Sequence, residues 1–194
     1  MAPGKPATGI SESPILVDWR AGTLAGAAVR QSSKTLGQLP GLFRDESARQ
    51  RLDPETLVYR VQSWQPVHAG TEGGLFWGTT IVEPGKVGAE YFMTHGHYHH
   101  IRNRGEYYAT VQGEGALILM AESGQTRQEI MSPGTIHYIP GNTAHRVANT
   151  GKTQLVFLAS WPSDAGYDYD LIRRTGFGAS LIELDGKPAL VPNR

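Results

Sequence analysis

The sequence predicts an all-β domain: an antiparallel sandwich or barrel of jelly-roll type. Three observations predict it. From Thr56 to Ser160, short apolar or alternating runs recur at intervals of about ten residues, roughly eight or nine strands in all. Between them stand Pro- and Gly-containing turns, in a chain with 24 Gly and 12 Pro. No helical periodicity interrupts the series, which argues against a parallel βαβ sheet.

Residues 1–14 are small, polar and rich in Pro and Gly, and read as a mobile arm. The division expected is a flexible arm over 1–24 and a single domain over 25–194. Ala25 to Gln50 carries Leu36, Leu39, Leu42 and Phe43, then the charged run from Arg44 to Gln50. It reads as one or two short helices interrupted at Pro40, docked on a sheet or on a second subunit. Thr56–Ser63 alternates Leu57, Tyr59 and Val61 with polar residues, a strand with one wet face. Leu75–Val82 is the next strand, stopped by Pro84-Gly85, and Glu90–His99 the one after. Gly105–Val111 and Ala116–Ala121 flank Gln112-Gly113-Glu114-Gly115, a hairpin turn by composition. Further strands are expected at Arg127–Met131, Thr135–Ile139, His145–Asn149 and Leu155–Trp161, separated by turns at Pro133-Gly134, Pro140-Gly141-Asn142 and Asn149-Thr150-Gly151. Asp164–Arg174 reads as a helical turn and Ala179–Leu184 as a last strand.

Charge and composition exclude several classes. Formal net charge is zero and the basic residues are scattered, so neither a nucleic acid nor an anionic membrane is an expected partner. With no cysteine there is no disulfide, thiolate chemistry, Fe–S cluster or Cys-type zinc site. The start has no signal-peptide pattern, and no apolar run reaches the length of a membrane span. The expected location is cytoplasmic.

Four of the seven histidines fall within His95–His100. In a strand, residues i and i+2 share a face. His97 and His99 therefore project together, about 7 Å apart at the backbone. Seven residues after His99 comes Glu106, at the head of the next strand; His145 follows the turn at Pro140-Gly141-Asn142. Three imidazoles and a carboxylate suit Fe(II), Mn(II), Ni(II), Zn(II) or Co(II) and are too nitrogen-rich for Ca(II) or Mg(II). Fe(II) is the first expectation, one ion per subunit, with Mn(II), Ni(II) or Zn(II) as alternatives. His95 is assigned to the surrounding pocket and His100 to the opposite face. His68 and His137 read as ordinary surface or core histidines. Tyr108 shares the face of Glu106. Lys86, Arg102 and Arg104 are cations that an anionic substrate could meet, or simply solvated.

The pattern Gly96-His97-Tyr98-His99, six residues, Glu106-x-Tyr108, then Pro133-Gly134-Thr135 and Ala144-His145-Arg146, resembles a cupin, a double-stranded β-helix. Its two boxes are residues 94–113 and 133–149. With Leu39-Pro40-Gly41-Leu42-Phe43, Gly78–Lys86 and Asp164–Tyr169, the chain is similar more narrowly to the cupin-type, archaeal-type phosphoglucose isomerases. That resemblance implies interconversion of glucose 6-phosphate and fructose 6-phosphate, by cis-enediol proton transfer or by a metal-assisted hydride shift. It implies His97, His99, Glu106 and His145 as metal ligands; Glu106 is the base candidate for proton transfer, whereas in a hydride shift it only positions the ion. It implies that Thr80, Thr94 and the Gly96 backbone hold the phosphate, and that Tyr108 and Tyr169 line the sugar site. Trp161 stands where the family's pattern often has Tyr, and Tyr167 where it often has His; both are expected at the substrate. A homodimer is the family's habit. The competing readings are a cupin Fe(II) dioxygenase, which shares the ligands but needs no phosphate pocket, and a non-catalytic, metal-containing sugar-binding cupin.

Overall fold

The computed structural model describes residues 14–193. The secondary structure is nearly all strand. In chain order the strands are β1 (Leu16–Asp18), β2 (Thr23–Ala25), β3 (Val29–Thr35), β4 (Leu57–Trp64), β5 (Leu75–Val82), β6 (Lys86–Val87), β7 (Glu90–Tyr91) and β8 (Glu106–Gln112). They continue as β9 (Gly115–Ala121), β10 (Thr126–Met131), β11 (Ile136–Ile139), β12 (Thr143–Asn149), β13 (Leu155–Pro162), β14 (Ala179–Leu184) and β15 (Lys187–Pro192). Two short helices are α1 (Glu46–Gln50) and α2 (Tyr169–Thr175).

The strands form a six-stranded sheet ordered β11-β8-β13-β5-β4-β3, a three-stranded sheet β10-β9-β12, and smaller sheets β15-β14-β7-β6 and β1-β2. All named pairs are antiparallel, as the missing crossover helices require. The core is one apolar cluster. Phe157 from β13, Leu117 and Leu119 from β9, Met131 from β10 and Val147 from β12 are almost wholly excluded from water. Each such side chain contributes about 1.5–3 kcal/mol by burial.

Most strands expected from Leu57 onward are present. Four local readings are corrected. Val29–Thr35 is a strand, not a helix; it pairs with β4 along its whole length, and only a 3-10 turn (Leu36–Gln38) and α1 follow it. α1 begins where Asp45 caps it, its carboxylate accepting from the Ala48 N–H at 2.8 Å. Residues 1–13 of the expected arm lie outside the described residues. The rest of that stretch forms the β1-β2 hairpin, docked by buried Leu24, whose N–H donates to Gln62 Oε1 at 2.9 Å.

The expected strand Glu90–His99 keeps strand pairing only at Glu90–Tyr91. Beyond it the chain makes single bridges, Met93 to Ala148, His97 to His145 and Tyr98 to Asp168. Gly96, at φ +77°, breaks the alternation.

The expected hairpin at Gln112–Gly115 is a crossover. β8 lies in the six-stranded sheet and β9 in the three-stranded one, and the two do not pair. Gly113 makes the change of sheet possible. Its φ is +81°, and a Cβ there would stand 2.2 Å from the Gln154 carbonyl oxygen. Gly113→Ala is therefore expected to cost about 2–4 kcal/mol, from a left-handed conformation and a backbone clash. A urea midpoint equal to the wild type's would show that the crossover tolerates a side chain.

Candidate metal centre and substrate cavity

Two sheets deliver the four ligand candidates to one point. β12 brings His145, and the irregular segment after β7 runs beside it: the His97 N–H donates to the His145 carbonyl at 3.2 Å, and the His145 N–H to that of His97 at 3.0 Å. Thr94 sets this register, its N–H donating to the Val147 carbonyl and its Oγ1 accepting from the Val147 N–H. Gly96 lets the two chains approach: a Cβ would stand 2.9 Å from both Arg146 Cβ and the Phe177 ring. From the facing sheet, β8 opens with Glu106. His145 Nε2 lies 2.6 Å and His99 Nε2 3.7 Å from Glu106 Oε1.

One donor atom from each of His97, His99, Glu106 and His145 lies within 4.8 Å of the other three. Metal bonds of about 2.0–2.2 Å place donor atoms at comparable spacing. The ring orientations fit a metal. His99 Nδ1 lies 2.8 Å from the Arg104 carbonyl and His145 Nδ1 3.3 Å from that of Thr143. A carbonyl only accepts, so Nδ1 carries the hydrogen and Nε2 presents a lone pair. The Nε2 atoms of all three rings and Oε1 of Glu106 are buried without a hydrogen-bond partner; the 2.6 Å contact is not aligned as one. Buried acceptors facing one another are costly unless a cation joins them. The residues therefore fit a divalent ion.

The four groups are also coupled electrostatically. Burial, then the neighbouring His145, holds His97 well below the usual imidazole range. Burial alone would push the Glu106 carboxyl up, but the His145 and His99 rings, when protonated at Nε2, outweigh it and hold it well below the usual carboxylate range. In His99 the Glu106 carboxylate outweighs burial, which acts to lower the ring, and raises it.

A cavity of about 330 Å³ opens onto this cluster. It is lined by Thr80, Thr94, Gly96, Tyr108, Trp161, Tyr167 and Tyr169, all named above from the sequence as candidate substrate or catalytic residues. Tyr167 and Tyr169 stack on each other, ring centroids 5.7 Å apart, and pack on His97 at 4.8 and 5.3 Å. His95 lines the cavity outside the ligand set, stacked on Tyr169 at 5.0 Å. His100 points away and is exposed. His137 is satisfied by Glu129 and Thr135.

The three cations singled out earlier lie elsewhere. Lys86 pairs with Glu183 at 2.5 Å. Arg104 grips Asp164 through Nε and Nη2, and Arg102 meets Asp168 at 2.6 Å. These two pairs, with the Ile101 N–H donating to Ala165 and the Asp168 N–H to Tyr98, fasten segment 164–168 to the loop after His99. They hold Tyr167 and Tyr169 over the cluster. Eight lining residues carry no sequence signal as site residues: Ser32 and Lys34 from β3, Tyr59, Val61, Ser63 and Gln65 from β4 and its end, and Phe157 and Ala159 from β13. Reading β3 as helix hid the first two, since strand alternation is what puts Ser32 and Lys34 on one face.

An antiparallel double-layered β-fold with three histidines and a glutamate at its centre defines the chain as a cupin. Within the cupins it belongs to the glucose-6-phosphate isomerase family, whose model matches residues 33–191. The glucose-6-phosphate isomerase of Pyrococcus abyssi is 38% identical over 181 residues, covering 92% of this chain and 94% of that one. A putative glucose-6-phosphate isomerase 2 of Rhizobium meliloti is 40% identical over 173 residues, 88% of this chain and 85% of that one. Among solved structures, Bacillus subtilis oxalate decarboxylase superposes on 57% of this chain and 26% of its own, at 24% identity and a TM-score of 0.44, too loosely to bear on the site.

Proposed function

We propose that this enzyme interconverts glucose 6-phosphate and fructose 6-phosphate in the cavity above His97, His99, Glu106 and His145, with a divalent metal ion held by those four side chains. The observation that carries the reading is the meeting of this donor cluster with Thr80, Thr94, Tyr108, Tyr167 and Tyr169 around one cavity, in a chain of the isomerase family. Its volume lies within the range of small-molecule pockets. Among the described residues no helix is long and apolar enough to cross a membrane.

Isomerisation moves a hydrogen between C1 and C2 and shifts the carbonyl. Held by His97, His99, Glu106 and His145, a divalent ion would supply Lewis acidity. The Glu106 carboxylate is ionised and buried at the cavity floor, placed to take the proton α to the carbonyl and return it to the neighbouring carbon. Burial, with the Glu106 charge, pushes the Tyr108 phenol well above its ordinary value; burial likewise raises Tyr167 and Tyr169. All three stay protonated at neutral pH and serve as hydrogen-bond donors to the sugar oxygens. Thr80, Thr94 and the Gly96 backbone receive the phosphate. Phe157, Ala159 and Trp161 supply the apolar wall.

The test is formation of glucose 6-phosphate from fructose 6-phosphate, followed with a coupled dehydrogenase, on protein loaded with Fe(II), Mn(II), Ni(II) or Zn(II). Turnover well above background is expected. No turnover with any of the four metals sinks the reading. Run in D₂O, proton transfer through Glu106 leaves deuterium at C2 of the product, whereas a hydride shift leaves none.

A further inference from the structure

We propose that Lys34 is a substrate-binding residue whose ammonium group neutralises the phosphate of the sugar phosphate. The inference rests on the function proposed above. A phosphate monoester carries a charge near −2 at neutral pH, yet Thr80, Thr94 and the Gly96 backbone offer only neutral groups. Lys34 is the single Lys or Arg among the described residues that line the cavity.

The sheet register aims it there. Ser32 lies opposite Val61, and Val61 opposite Thr80, so these three form a row across β3, β4 and β5. Lys34 follows Ser32 by two residues and shares its face, opposite Tyr59, which also lines the cavity. β3 and β5 are two strand spacings apart, about 10 Å, and Lys34 stands two residues, about 7 Å, along β3 from the row of Thr80, so their Cα atoms are about 12 Å apart. A lysine's four-carbon stem spans about 6 Å of that. The ammonium therefore reaches the outer oxygens of a phosphate seated on Thr80, not the reacting carbons.

Lys34 is also unengaged. Among the described residues no carboxylate pairs with it, whereas Lys86, Arg102, Arg104 and Arg173 each hold one. A lysine on an edge strand with its ammonium free at the mouth of a cavity is placed to meet an anion.

Loss of a contact equally present with substrate and transition state raises KM and leaves kcat alone. In Lys34→Met, KM for fructose 6-phosphate is expected to rise about tenfold, as for a partly exposed charged contact. The kcat should stay within about twofold, and Lys34→Arg should restore most of the KM. Inhibition by inorganic phosphate should weaken in parallel, and the salt dependence of KM should flatten. Unchanged KM and phosphate inhibition in Lys34→Met overturn the assignment. So does a joint loss of kcat and thermal stability that Lys34→Arg does not rescue, which marks a structural role. Phosphate binding is also read by calorimetry on the metal-loaded protein, wild type against Lys34→Met. That readout needs no turnover: an inactive wild type whose phosphate affinity still depends on Lys34 fails the isomerase reading alone.

Discussion

Glu106→Gln is expected to lower isomerase kcat by about 10²- to 10⁴-fold, the span covered by a positioned general base, while the protein stays folded. The substitution keeps the shape and one ligand-capable oxygen and removes the charge and the basicity. Glu106 is 5% exposed, so the amide stays where the carboxylate was, 2.6 Å from His145 Nε2. Circular dichroism and the thermal midpoint establish the fold, and elemental analysis the metal content, before rates are compared. Wild-type turnover in a metal-loaded Glu106→Gln protein removes the carboxylate from the chemistry. Loss of turnover together with loss of metal shows that the carboxylate is needed to hold the ion.

The second large effect concerns the ion. Loss of an outer hydrogen-bond partner of a ligand costs about 10–100-fold in metal affinity, and loss of a ligand is expected to cost at least about 100-fold. His97→Ala should therefore leave the purified protein with little bound metal. Binding to the folded state alone adds about 4 kcal/mol when the free ion stands at about 1,000 times its Kd. For a chain of this size that is about 8–16 °C in Tm. A chelator should lower the wild-type midpoint by that order and leave His97→Ala almost unmoved. Unchanged metal content in His97→Ala means that the ligand assignment is wrong. An unshifted wild-type midpoint with a demonstrably emptied site means that the ion does not contribute to stability.

The candidate site was readable in the chain to an unusual degree, and for a definite reason. Three of its four candidate donors are histidines, a residue type with few other uses at such density, and two of these are two residues apart. The spacing rule worked although its premise did not hold. His97 and His99 do not sit in a regular strand, since Gly96 breaks the alternation. They converge because backbone bonds to His145 and the contact of His99 with the Arg104 carbonyl turn the rings inward. Arg102 and Arg104 show the opposite case. Their charge and position before Glu106 were visible, but their partners Asp168 and Asp164 lie some sixty residues downstream.

By itself, then, the sequence determined what depends on neighbours a few residues apart. That covers the longer strands from Leu57 to Leu184 apart from the broken one before His97, most turns between them, and the four side chains that meet at the candidate metal centre. Only the tertiary structure decided which strands lie together and what their faces enclose. Gly113 reads the same at a hairpin and at a crossover, because its left-handed φ is local while the choice of sheet is made by β9 pairing with β10 and β12. Val29–Thr35 has no apolar alternation to announce a strand. It becomes one because β4 offers an unpaired edge, and that pairing carries Lys34 to the cavity. Periodicity along a chain reports burial; it cannot report a partner across the fold.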